Sequence, residues 1–118
     1  MQNMTQENII RIIKETAEKV PEWVAFYSLR DYKVPRVRSA SIKIIRTCIA
    51  LELIGLPITT NLLEVVLGDR NKLYTILHRL GDYKVIDNVE SDNHTLVYQL
   101  NDEYKAHIKL PEITICTN

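Results

Sequence analysis

Between Asp69 and Tyr83 the chain reads DRNKLYTILHRLGDY, in which Arg70, Asn71, Lys72, Tyr74, Thr75, His78 and Arg79 are interleaved with Leu73, Ile76, Leu77 and Leu80. A helix turns about 100° per residue, so this spacing gathers the aliphatic side chains on one side. Asn71, Thr75 and His78 then fall opposite, flanked by Arg70, Lys72, Tyr74 and Arg79. An asparagine amide bonds adenine at two points, an arginine does the same for guanine, and a threonine offers its methyl to that of thymine. The outward side therefore carries groups that distinguish base edges in a major groove. Any solvated helix face carries similar types, and Asp69 and Asp82 would repel phosphate. The assignment depends on the elements that hold this helix.

Those elements are legible as periodicity. Thr5 followed by Ile9, Ile10, Ile12, Ile13, Ala17 and Val20 reads as a capped amphipathic helix ending before Pro21, which disfavours helical geometry in its predecessor. Pro21 opens a second helix over 22–32, rich in aromatic residues: Trp23, Phe26, Tyr27 and Tyr32. After a loop with Pro35, Ser41 caps a helix over 42–54 that is apolar on two sides and closed by Gly55. Thr59 or Thr60 caps the next helix, which uses Leu62, Leu63, Val66 and Leu67 until Gly68 stops it, and Asp69 caps the helix of the opening motif. Past Tyr83 the period changes to two, with Val85 and Asp87, then Leu96, Tyr98 and Leu100, around the turn-prone Glu90-Ser91-Asp92-Asn93. That is a hairpin. Ile113 to Cys116 favour a further strand.

Helix, helix, turn, helix and hairpin is an order that resembles the winged helix-turn-helix regulators over Ile42 to about Tyr104. The matching residues are Thr59-Thr60, Leu62-Leu63, Val66-Leu67-Gly68, Leu73, Leu77-His78-Arg79-Leu80, Val85-Ile86 and Tyr98-Gln99-Leu100. The resemblance implies a mostly helical fold with a small β-hairpin, extra amino-terminal helices and a recognition helix at about 70–83. Domain boundaries follow at 1–35, 36–104 and 105–118. It implies a sequence-specific double-stranded DNA-binding protein, a dimeric transcriptional regulator, with Thr60 and Asn61 joining the contacts of the recognition helix. Two departures stand out. The wing, Val89 to His94, holds two carboxylates and no fixed cation, leaving Asn93 and His94 as its only candidate contacts, and Lys84 occupies a position where the family often has glycine. An acidic wing also suits the alternative, a winged-helix module that binds proteins in replication, transcription or plasmid and viral partition. The isoleucine-rich, alanine-poor composition resembles small archaeal and viral factors.

Net charge is zero, yet its distribution is uneven. Residues 34–55 hold Arg36, Arg38, Lys43 and Arg46 against Glu52 alone, whereas residues 85–118 hold six carboxylates against Lys105 and Lys109. A neutral chain binds a polyanion when its cations gather on one face, and a homodimer doubles that face. Arg36, Arg38, Lys43 and Arg46 are the expected phosphate contacts, with Lys43 and Arg46 one helical turn apart. Ile9, Ile10, Ile13, Trp23, Phe26 and Tyr27 supply surplus apolar surface for a dimer, or for folding back over Ile44, Cys48 and Leu51.

Other classes find little support. Cys48 and Cys116 stand far apart without histidine at ligand spacing, so no metal site is expected; Cys48 reads as a core residue and Cys116 as a free thiol. Three histidines without a neighbouring nucleophile or paired carboxylate, and three isolated glycines, give neither a catalytic constellation nor a phosphate loop, so neither enzyme activity nor a cofactor is expected. A polar amino terminus and charge-interrupted apolar runs lead to an intracellular, cytoplasmic expectation with no membrane contact. The glycosylation-type triplets at Asn3 and Asn93 carry no meaning in that setting. No effector is legible.

Overall fold

The computed structural model describes residues 6–34, 39–68, 70–91 and 96–108. Its elements are α1 (Gln6–Lys19), α2 (Glu22–Tyr32), α3 (Ser39–Ile54), β1 (Ile58–Thr59), α4 (Thr60–Leu67), α5 (Arg70–Asp82), β2 (Ile86–Ser91), β3 (Leu96–Leu100) and α6 (Asp102–Ile108). The protein is mostly helical with a small three-stranded antiparallel sheet of order β1-β3-β2. No helix among the described residues is long and apolar enough to cross a membrane.

The centre is α3. Ile42, Ile44, Ile45, Thr47, Cys48, Ile49, Ala50 and Leu51 are all buried along it, so both of its apolar sides are covered. α1 and α2 pack on one part of it, and α4 and the strands reach others. The two-sided pattern in the sequence has this cause: a helix gripped all round buries residues at every angle. α3 starts at Ser39, so Ser41 lies inside its first turn instead of capping it.

Helix ends follow local chemistry. Gly55, at φ +89°, closes α3 as Leu56 N–H reaches back to the Leu51 carbonyl at 3.0 Å. Thr59 has extended geometry and accepts from Leu62 N–H at 3.1 Å, so one residue ends β1 and caps α4. α5 ends on the same kind of motif without glycine. Val85 N–H bonds the Leu80 carbonyl at 2.9 Å, and Lys84 sits at φ +63°. The position at which the resemblance leads one to expect glycine is therefore a left-handed residue here, filled by lysine.

Three features depart from the sequence expectation. β1 is a third strand, pairing Ile58 with Tyr98 and Thr59 with Val97. β2 runs on through Ser91, with a register shift between Asn88 and Glu90 that leaves Val89 as the bulged residue, 54% exposed. α6 occupies residues expected to be hairpin end and tail; the boundary drawn between residues 104 and 105 falls inside it. Asn101 caps α6, its Oδ1 accepting from Glu103 N–H at 2.9 Å and Tyr104 N–H at 3.3 Å. Tyr104 and Ile108 are thereby sunk into the same core that holds Ile13, Leu29, Ile45 and Leu77. The amino-terminal helices share that core too. The carboxyl-terminal strand expected at Ile113 to Cys116, the thiol of Cys116, and the caps Thr5 and Asp69 lie outside the described residues.

Candidate nucleic-acid interface

α5 is amphipathic for the reason its spacing gives. Leu73, Leu77 and Leu80 are buried at 1%, 1% and 2% exposure, with Ile76 half-buried beside them, while Lys72, Thr75, His78 and Arg79 are exposed. The inward stripe packs on the sheet and on α4. It holds the helix across one side of the fold with a polar outer surface about three turns long. The side chains of Arg70 and Asn71 lie outside the described residues, although the α5 backbone includes both.

Tyr74 does not join the outward set. It is half-buried and stands near Tyr98 on β3, whose phenol is pushed up from its ordinary pKa first by burial and then by the neighbouring Tyr74 and Cys48. At the helix end His78 Nε2 lies 3.6 Å from Asp82 Oδ2, both side chains largely in solvent.

The other expected contacts separate into groups. Asn61 is exposed on α4 together with Val65, which is 47% exposed. Thr60 is fully buried, and its Oγ1 accepts from Leu96 N–H at 3.4 Å, so its hydroxyl ties α4 to β3 and is closed to a duplex. Lys43 is exposed on α3. Arg46 is committed inside the protein: Nε donates to the Val20 carbonyl at 2.9 Å and a terminal nitrogen to the Glu18 carbonyl at 2.8 Å. It closes the carboxyl end of α1, where carbonyls lack helical partners and a cation is favoured. The expected patch of Lys43 and Arg46 instead borders a cavity that no described residue of α5 lines. Arg36, Arg38, Asn93 and His94 lie outside the described residues.

The expected dimer surface also divides. Ile13 is fully buried, and Ile9, Ile10 and Phe26 are half-buried against the core, with Arg30 Cζ 5.7 Å from the Phe26 ring centroid. These residues cover α3 within one chain. Trp23 differs, being 56% exposed at the start of α2. The Tyr27 side chain lies outside the described residues.

Comparison of the chain with models of protein families, with curated proteins and with solved structures finds no match.

Proposed function

We propose that the protein is a winged helix-turn-helix protein that binds double-stranded DNA sequence-specifically through α5 and acts as a dimeric transcriptional regulator. The observation that carries the reading is the two-sidedness of α5, with leucines sealed against the body and Lys72, Thr75, His78 and Arg79 left in solvent on a helix narrow enough for a major groove. The order α3, β1, α4, α5, β2, β3 and the sheet order β1-β3-β2 support it, since a winged helix places its short first strand against the hairpin in this way. Lys72 and Arg79 supply phosphate contacts, while Asn71, Thr75 and His78 read base edges. Trp23, exposed on a helix outside the reading unit, is the natural centre of a dimer contact.

Selection of bound sequences from a random duplex pool tests the reading. Enrichment of a two-fold symmetric site with half-sites about one helical turn apart supports a dimeric reader; recovery of unenriched sequence rejects it. One observation favours a second reading, a module that binds another protein: Val89 is an exposed apolar residue at a bulge in a hairpin whose charges are acidic.

A further inference from the structure

Beside Arg46 lies a part-enclosed cavity of about 430 Å³, walled by α1, the start of α2, α3 and the end of α4. Small-molecule sites span roughly 300–1,000 Å³, so this space is large enough to hold one. Its lining divides by chemistry. Ala17, Ile42, Val66 and Leu67 are apolar, with Ile42 and Val66 buried, whereas among the described lining residues Lys14, Lys43 and Arg46 face Glu18 and Glu22 in charge count, three cations to two carboxylates.

Arg46 gives the lining direction. A guanidinium has five N–H groups. Two are used on the Val20 and Glu18 carbonyls, and no further acceptor engages it among the described residues. Its geometry is thus set in advance, and a ligand that uses the remaining donors has little ordering cost to overcome. Lys14 and Lys43 form no ion pair among the described residues, and Ser39 brings the amino-terminal end of the 16-residue α3, the positive end of the helix dipole, to the same wall. One surplus positive charge suits a monoanion; Glu18 and Glu22 oppose a phosphate ester or dicarboxylate.

We propose that this cavity binds a small monocarboxylate with an apolar tail, its carboxylate toward Arg46 and Lys43 and its tail on Ile42, Val66 and Leu67. The inference stands independently of DNA reading, because no described residue of α5 lines the cavity and the binding is measured without DNA.

Calorimetric titration of the full chain with hexanoate, norleucine and hexanamide tests it. Saturable binding of hexanoate or norleucine is expected, with hexanamide, which keeps the tail and lacks the charge, about tenfold or more weaker. Norleucine binding more tightly than hexanoate identifies an aliphatic amino acid, whose ammonium meets Glu18 or Glu22; the reverse order identifies a free fatty carboxylate. Lys43→Gln should weaken the carboxylate and leave hexanamide unchanged, and Ala17→Leu, which occupies the apolar wall, should weaken all three, with folding of both variants checked by circular dichroism. No saturable heat from either carboxylate, equal affinity for hexanoate and hexanamide, or folded variants that bind like the parent would overturn the proposal.

Discussion

Arg46 on α3 donates to the main-chain oxygen of Val20 at 2.9 Å, just past the last turn of α1, and thereby joins the amino-terminal helices to the centre of the fold. With its second bond to Glu18 it satisfies two carbonyls that a helix end leaves open. Arg46→Met keeps the aliphatic stem and removes both bonds, so it should cost about 1–3 kcal/mol in chemical denaturation. An unchanged denaturation midpoint would mean that the α1 end is held by packing alone.

Tyr104 is fully buried on α6, and its hydroxyl has no hydrogen-bond partner among the described residues. Its ring meets Tyr32 edge-on at 5.4 Å and 73°. Tyr104→Phe keeps that contact and removes a desolvated hydroxyl, so stability should be unchanged or raised by about 1 kcal/mol. A loss of more than that in thermal or urea unfolding would show that the hydroxyl has a partner.

Lys84 holds φ +63° at the end of α5, where a Cβ is strained, while its carbonyl accepts from Tyr32 Oη at 3.0 Å. Lys84→Gly relieves about 1–2 kcal/mol of backbone strain and adds about 0.5–1 kcal/mol of unfolded-state entropy. A small net gain in urea midpoint is expected. Gly68, at φ +80°, is the converse case. A Cβ there meets open space, so Gly68→Ala should be destabilising through backbone conformation alone.

Cys48 is fully buried, and burial pushes its thiol up to about 12 from 9.0. Since the folded pKa lies above the unfolded one, this group's contribution is complete below pH 9 and is lost as pH rises toward 12. Tyr104 acts in the same direction, raised chiefly by burial. Unfolding free energy should therefore fall across that alkaline window, and Cys48→Ala should flatten the fall. In a Cys116→Ser background, Cys48 should react with thiol reagents only as fast as the protein unfolds; rapid labelling of the native chain would contradict the burial.

Most helices were legible because their causes are local. Pro21, Gly55, Thr59 and Gly68 mark helix ends through backbone geometry that a few neighbouring residues determine, and the leucine stripe of α5 repeats often enough to set its inward side. The features that escaped depend on distant partners. β1 is two residues long and exists only because β3 lies beside it. α6 had a local signal, Asn101-Asp102-Glu103, an amide cap followed by first-turn acids, but the hairpin's period of two drew the reading past it. The role of Arg46 was hidden because a cation one turn from Lys43 reads as a surface patch, whereas its acceptors are main-chain oxygens 26 and 28 residues away. Thr60 beside Thr59 shows the same limit, since adjacent identical residues take opposite roles, one a cap and the other buried against β3.

The central claim is that the outer side of α5 meets a duplex, and the salt dependence of binding to a labelled duplex, read by fluorescence anisotropy, tests it most directly. Lys72→Ala and Arg79→Ala should each lower the slope of log affinity against log salt by about 1, as expected for one lost phosphate contact. Arg46→Met should leave that slope unchanged, because its guanidinium faces the α1 carbonyls. Absence of binding at low salt, or a slope that Lys72→Ala and Arg79→Ala leave untouched, would contradict the account.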